Sequence, residues 1–559
     1  MKKHILMIIA IGLISVGLFA SVESVYADSE PEGCIAFTSD AYFQISLGDS
    51  SGYNPWDGIV EVSSNGTDWI VYTAGDRINS DRHGGEWCVF FRGGYNHGFG
   101  EASFKIRGEY SISCTGNIEN LLDHATVQNG QHPEMSTEAF AKMFYGCQLL
   151  IKAPELSATT LTRDCYAYMF QDCTSLTEAP ELPAKTLAER CYEYMFCGCP
   201  SLKEAPSLPA TTLADYCYLW MFDGCTSLTK APELPATTLA PHCYEFMFGG
   251  CSSLTIPPEL PATTLAGYCY YNMFEFCTSL TIPPELPATT LAGYCYKDMF
   301  DYSGVKISSE KGIFDGVFYA IPYRIPGMGE GTIGEYSLTK MFSNTQGPFT
   351  GTPEINTTYY LPCAIGTPLT TMKAKGKKSM TIAWEPVEGV DGYDIFFAKC
   401  AKKKDGKSPS KLVKTIEGND VSQWTKTGLK KGKSYKAYVK AFVMKNDGKE
   451  YIESSPLMHA YAAGSDKKYT NAKSVSVNEA EASLTVDATF QIKAKVKKLK
   501  KNKKLMPKSH VATIRYLSTD QQIATVNKKG LITAKGTGEC YVYAYAHNGA
   551  FAKVKVTVE

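Results

Sequence analysis

Between residues 147 and 303, cysteine returns every 26 residues, twice over. Cys165, Cys191, Cys217, Cys243, Cys269 and Cys295 form one series, and Cys147, Cys173, Cys199, Cys225, Cys251 and Cys277 form a second with the same step. One unit reads Cys225-Thr-Ser-Leu-Thr-Lys-Ala-Pro-Glu-Leu-Pro-Ala-Thr-Thr-Leu-Ala-Pro-His-Cys243-Tyr-Glu-Phe-Met-Phe-Gly-Gly. A fixed period of this length, with leucines at fixed offsets, restricts the chain to a solenoid. No unit can bury its apolar side alone, so each must do so against its neighbours.

Within a unit, Leu228 to Leu234 is expected to be extended and Pro235-Ala236-Thr237 to turn. Thr238 resembles a helix N-cap, and Thr186 with Glu189 has the spacing of a capping box. Leu239, Cys243 and Met247 lie four apart, which predicts a short helix from Leu239 to Phe248. Pro232 and Pro235 recur in nearly every unit and cannot donate ladder hydrogen bonds, so the parallel sheet should be one or two bonds wide per rung. The expected fold is therefore an α/β solenoid with all-β modules on either side.

For an exported chain, the cysteines read either as a disulfide framework or as stacked rows of small buried thiols. The second reading is favoured. Each series recurs once per rung, the total of 19 is odd, and Ser303 takes the last place of the second series while Cys295 remains in the first. Spacings of 8 and 18 are not those of zinc knuckles, and most units lack histidine, so no metal is expected. Cys197 stands outside both series.

The pattern Cys-x-Ser-Leu-Thr-x-x-Pro-Glu-Leu-Pro-Ala-Thr-Thr-Leu-Ala-x-Tyr-Cys-Tyr-x-x-Met-Phe, over residues 137–303, resembles the BspA-like leucine-rich-repeat family of bacterial surface proteins. The resemblance implies a right-handed leucine-rich-repeat solenoid used for adhesion or protein binding. An anaerobic habitat, common in that family, would let exported thiols persist. Two rows are candidate binding positions. Glu155, Glu181, Glu233, Glu259 and Glu285 share one offset, which Ser207 interrupts. Stacked about 4.8 Å apart they would repel in a dry site, so they read as solvated or backbone-paired, with a groove for a cation or basic partner as the alternative. Tyr192, Tyr218, Tyr244 and Tyr270, with Tyr166 and Tyr296 at their ends, form the other row, and Tyr168, Tyr194, Trp220 and Phe246 lie close by. Such a row either grips a partner or lines a partly buried helix flank.

The flanks alternate apolar and polar residues. Ile59-Val60-Glu61-Val62 and Trp69-Ile70-Val71-Tyr72, joined through Asn65-Gly66, predict a hairpin in an N-terminal β-module that also caps the first rung. Leu338-Thr339-Lys340-Met341-Phe342 echoes the repeat within a terminal cap. Further on, Ser379 to Trp384 and Gly392 to Phe396 precede Leu429, Gly432 and Tyr435, spaced as in a tyrosine corner. That segment resembles a fibronectin type III domain. Ile523 to Val526, Gly530 to Ala534 and Gly536-Thr537-Gly538 resemble the bacterial immunoglobulin-like domain of group 2. Both imply β-sandwiches that act as spacers or stalk units. The expected division is 1–27 leader, 28–136 N-terminal module, 137–303 solenoid, 304–362 cap, 366–463 and 470–559 sandwiches.

Met1-Lys2-Lys3-His4, the apolar run Ile5 to Ala20 and Val25-Tyr26-Ala27 read as a cleaved secretory signal. The run is short of the ~20 residues that span a bilayer and no second run follows, so the mature chain is expected to be exported, with no transmembrane segment. The net charge of −1 conceals roughly +20 beyond residue 371 and roughly −20 before it. The run Lys497-Lys498-Leu499-Lys500-Lys501-Asn502-Lys503-Lys504 reads as a solvated hairpin loop or as a contact for anionic wall polymers. Export argues against nucleic acid. Gly48-Asp49-Ser50-Ser51-Gly52 fits Gly-x-Ser-x-Gly and His83-Gly84-Gly85 is similar to an oxyanion loop. Both lie among β-type runs rather than at a strand-to-helix elbow, so they read as turns, and no catalytic residue or cofactor is expected. The functional expectation is an adhesin-like binding protein recognising host or bacterial surface proteins or glycans. A structural wall or biofilm component is the alternative, and a hydrolase in the N-terminal module the third.

Overall fold

The computed structural model describes residues 31–48, 55–325, 334, 336–355, 357–363, 366–400, 408, 409, 411–445, 448–508, 510–521 and 523–559. The leader and Asp49 to Gly52 lie outside the described residues. The chain forms two compact units, Met1–Pro209 and Ala210–Glu559.

In the first unit, two antiparallel sheets form a sandwich. Ile35–Ser39 lies between Ile112–Thr115 and Glu86–Gly94, and Ile59–Ser63 and Ile70–Val71 extend the same sheet. Ile78–Asn79, Gln44–Gly48 and Ser103–Arg107 form the other. Glu86–Gly94 is central and covered on both faces, which is why Cys88 to Phe91 are all buried instead of alternating. Asn65-Gly66 turns the predicted hairpin, with the Asn65 side-chain oxygen accepting from the amides of Thr67 and Asp68 at 3.0 and 2.9 Å. Gly84 and Gly85, both at positive φ, form the tight turn between Asp81–His83 and Glu86–Gly94. The module closes over the first repeat. The Phe104 amide donates to Met143 at 2.8 Å, and Leu150–Lys152 pairs parallel with Ile112–Thr115. Ring contacts run from Phe37 to Phe104 and on to Phe144 at 4.7 and 5.4 Å.

The repeats stack through a regular division of backbone donors. Tyr244, Phe246 and Phe248 donate their amides to the carbonyls of Cys269, Tyr271 and Met273, 25 residues onward, at 3.1, 2.9 and 3.0 Å. The residues between them, Cys243, Glu245 and Met247, donate to the carbonyl three residues back. Phe140, Lys142 and Phe144 do the same toward Cys165, Ala167 and Met169 in the first unit. The helix expected over Leu239 to Phe248 is therefore replaced by consecutive turns. A helix would spend every amide within the segment, whereas here every second one leaves it. His242, Phe246 and Gly250 take φ of 58°, 52° and 66°, which no α-helix accommodates. Thr238 caps nothing. It bridges Thr264, as Lys230 bridges Ile256, so the parallel sheet is single bridges wide. Thr186 is likewise a bridge residue and Glu189 starts a turn.

The apolar set is as the period predicts. Leu150, Leu176 and Leu202 in the first unit, and Leu228, Leu254 and Leu280 in the second, are fully buried. Phe222, Phe248, Phe274 and Phe300 stack ring on ring at 5.6–5.7 Å. The degenerate segment supplies one more tier. Ser337, Thr339, Met341 and Ser343 accept from Tyr296, Asp298, Phe300 and Tyr302, and Phe342 stacks on Phe300 at 5.3 Å. Gly312–Phe314, Val317–Arg324 and Thr358–Cys363 then form an antiparallel sheet.

Residues 366–463 form a two-sheet sandwich. Thr370–Ala374, Met380–Trp384 and Gln423–Lys426 face Leu412–Glu417, Gly392–Lys399, Ser434–Lys445 and Gly448–Ser454, with Met458–Tyr461 also on Ser434–Lys445. The Tyr435 hydroxyl accepts from the Lys430 amide at 2.9 Å, closing the expected tyrosine corner. In the last module, Glu481–Leu484, Phe551–Val558, Gly538–Ala546 and Ile514–Ser518 form one sheet. The lysine-rich run spans the end of Lys495–Lys498, a turn and Lys504–Leu505; these strands pair with Ala472–Ser476 and Tyr469–Thr470 and not with each other, so the run is a loop but not the expected hairpin. The two sandwiches are tied together. His459 donates its amide to the His547 carbonyl at 2.7 Å, Met372 to that of Asn548 at 2.8 Å, and the Asn548 side chain accepts from Ala472. A Cβ on Gly549 would meet the Thr370 carbonyl at 2.0 Å, so only glycine allows that approach.

His547 is buried in this junction, and burial with its neighbours His459 and Arg515 lowers its pKa from the ordinary 6.5 to about 3. The folded side chain stays neutral where the unfolded chain takes up a proton. Stability should be complete above pH 6.5 and fall as pH drops from there toward about 3. Urea midpoints across that range should show this slope, and H547Q should flatten it.

Candidate interaction surface

The turn segments decide which side chains meet solvent. Residues that donate to the next tier alternate between inward Tyr or Phe and an outward residue at positive φ. Tyr192, Tyr218, Tyr244 and Tyr270 point inward and are at most 2% exposed, as are Tyr166 and Tyr296. They stack at 5.6–6.0 Å, and burial raises the pKa of Tyr244 and Tyr270 well above the ordinary 10.0. This row is core. The expectation of a binding surface there is corrected, and so is that of a helix flank.

The outward rows lie two residues away on either side. Tyr216, His242, Tyr268 and Tyr294, all with φ of 58–60°, stack in order at 4.4, 4.7 and 4.5 Å, and Tyr336 follows at 5.2 Å. Trp220 stacks on Phe246 at 3.9 Å, and in a further column, six residues past the buried tyrosines, Phe276 stacks on Tyr302 at 4.9 Å. In the first unit Tyr168 stacks on Tyr194 at 4.8 Å. Phe276, Tyr302 and Tyr336 are each about half exposed and the others partly so. A bulky residue in this backbone region costs roughly 1–2 kcal/mol, and stacking between tiers offsets part of it. Because each ring covers its neighbour's face, the rows present edges, hydroxyls and the His242 imidazole, which bonds Glu245. Tyr216, Tyr268 and Tyr294 were not singled out from the sequence. The available signal was their place immediately before a first-series cysteine, two residues ahead of a tyrosine that is buried.

Glu155, Glu181, Glu233, Glu259 and Glu285 are all exposed, on the extended side of the units. Glu155, Glu178 and Glu181 rim a groove of about 540 Å³ floored by Pro154, Leu156 and Pro180. Glu233 and Glu259 rim one of about 480 Å³ with Pro232, Pro235, Pro257 and Pro258. Another concavity, near Tyr168, neutralises itself. Lys142 pairs with Glu101 at 2.8 Å and Arg190 with Glu193 at 3.1 Å.

All twelve cysteines of the two series are buried. In the second series the thiols of Cys147, Cys173, Cys199, Cys251 and Cys277 donate to the carbonyls of Phe104, Phe144, Phe170, Phe222 and Phe248 at 3.1–3.3 Å. Burial pushes the thiols of Cys147, Cys165, Cys217 and Cys295 up to about 12. Among the described residues, no group of His, Cys, Asp and Glu has metal-binding geometry, and no helix is long and apolar enough to cross a membrane.

Residues 471–558 match the family model of the bacterial Ig-like domain (group 2). No curated protein matches the chain. Similar solved structures include the FN5 domain of Drosophila Lar, at 17% identity over 18% of this chain and 96% of that one, with a TM-score of 0.14. The fibronectin(III)-like modules of Clostridium thermocellum CbhA show 15% identity over 34% and 91%, with a TM-score of 0.14. A C-terminal fragment of intimin, in complex with the translocated intimin receptor intimin-binding domain, shows 13% over 35% and 61%, with a TM-score of 0.14.

With these thiols both buried and protonated, Cys147, Cys165, Cys217 and Cys295 should resist iodoacetamide in the native protein at about pH 8 and react fully once it is unfolded. Mass spectrometry of labelled peptides reads the difference.

Proposed function

We propose that the protein is a secreted or cell-surface bacterial binding protein of the adhesin type, and not an enzyme. Residues 137–303 are read as a BspA-like leucine-rich-repeat solenoid that recognises surface proteins or glycans through its exposed face. The two C-terminal sandwiches are read as its stalk. The observation that carries this reading is the set of outward aromatic rows, above all Trp220–Phe246 and Tyr216–His242–Tyr268–Tyr294, held on a backbone conformation that bulky side chains ordinarily avoid. Aromatic anchors with a polar edge are the side chains that dominate recognition energy. The bacterial Ig-like match supports a bacterial surface setting, and the 26-residue stacking supports the solenoid.

The test is saturable binding of the full mature chain to glycan arrays and to purified bacterial and host surface proteins. Replacing Trp220, Phe246 and Tyr268 together with alanine should weaken the strongest interaction by at least about tenfold, on the order of 1.4 kcal/mol, with the fold retained. Binding that survives this replacement unchanged, or no saturable partner, contradicts the proposal.

A further inference from the structure

We propose that each proline-floored groove of the repeat region can dock the lysine-rich face of the C-terminal Ig-like module of a second copy of this chain, joining molecules head to tail. This goes beyond recognition of a foreign partner and rests on a different surface from the aromatic rows.

Two features of each face specify the other. Each groove is apolar at its floor and net acidic at its rim: Pro154 and Pro180 lie beneath Glu155, Glu178 and Glu181, which outnumber Lys152, and Pro232 and Pro258 lie beneath Glu233 and Glu259, which outnumber Lys230. Ile256, 53% exposed, lines the second of them. Proline offers no backbone donor there, so the surface accepts hydrogen bonds and cations. The opposite pattern occurs in the Ig-like module. Leu499, 43% exposed, stands at a turn ringed by exposed Lys497, Lys500, Lys501 and Lys504. An apolar tip with a basic collar fits an apolar floor with an acidic rim.

The balance of charge singles out a copy of this chain as occupant. Residues 137–303 hold eighteen acidic and eight basic side chains, a net −10, and residues 471–558 hold five acidic and sixteen basic, a net +11. The whole chain carries only −1, so no general repulsion separates copies. Long-range attraction between the unlike ends orients the encounter. Because the two faces differ, the contact is heterologous and leaves a groove on one copy and a lysine tip on the other unfilled, so it propagates into chains or closes into rings.

Sedimentation velocity on the full mature chain tests this. At about 20 mM salt it should sediment as a concentration-dependent series of multimers, collapsing to monomer at about 0.5 M. One variant carries Glu181→Lys, Glu233→Lys and Glu259→Lys, and the other Lys497→Glu, Lys500→Glu, Lys501→Glu and Lys504→Glu. These positions are exposed, so melting temperatures should match the parent. Each variant alone should lose multimers at low salt. Mixing them should restore association, since the first retains the lysine tip and the second the acidic groove. A parent that stays monomeric at low salt, multimers indifferent to salt or to both variants, or a lysine tip that binds only anionic polymers such as teichoic acid, would overturn the proposal.

Discussion

The repeat region depends on one arrangement of backbone hydrogen bonds, in which alternate amides of the turn segment donate to the next tier and the rest donate three residues back. Buried peptide groups must be paired, and here each tier leaves half of its pairing to its neighbour. That makes the tiers mutually dependent and fixes a spacing close to that of ring stacking. Aromatic residues in register therefore stack as a consequence of the backbone, inside as Phe248 on Phe274 and outside as Trp220 on Phe246.

This arrangement also sorts side chains. Alternation along the turns sends Tyr244 and Phe248 into the core and His242 and Phe246 out of it. The outward positions adopt positive φ, where glycine is the unstrained choice, and Gly224 and Gly250 occupy one such column. Phe276 and Tyr302 fill the same column in the next two tiers, and Tyr216, His242, Tyr268 and Tyr294 form a continuous aromatic edge in another. On the extended side, prolines limit the sheet to single bridges and leave grooves between tiers, with glutamates at the rim. Two surfaces of different chemistry thus follow from one 26-residue unit, and the basic sandwiches supply a third.

Much of this was legible in the sequence. The period gave the stacking, the leucines gave the core, and the Leu429, Gly432 and Tyr435 spacing gave the tyrosine corner. Helix and turns were confused for a physical reason. Leu239, Cys243 and Met247 recur every four residues, and a run of four-residue turns buries that set as a helix would. Propensity carries no sign of amides donated 25 residues away. The same error misplaced the candidate surface, since helical spacing put Tyr244 on a flank when the alternation of turns buries it and exposes Phe246. The glutamates of the extended side were legible as surface residues because carboxylates stacked tier on tier would repel in a dry interior.

Trans-hydrogen-bond scalar couplings in perdeuterated protein test this account most directly. The account predicts coupling between the Tyr244 amide nitrogen and the Cys269 carbonyl carbon, and likewise from Phe248 to Met273. Coupling from Tyr244 to Ala240 instead, the helical partner four residues back, would contradict it.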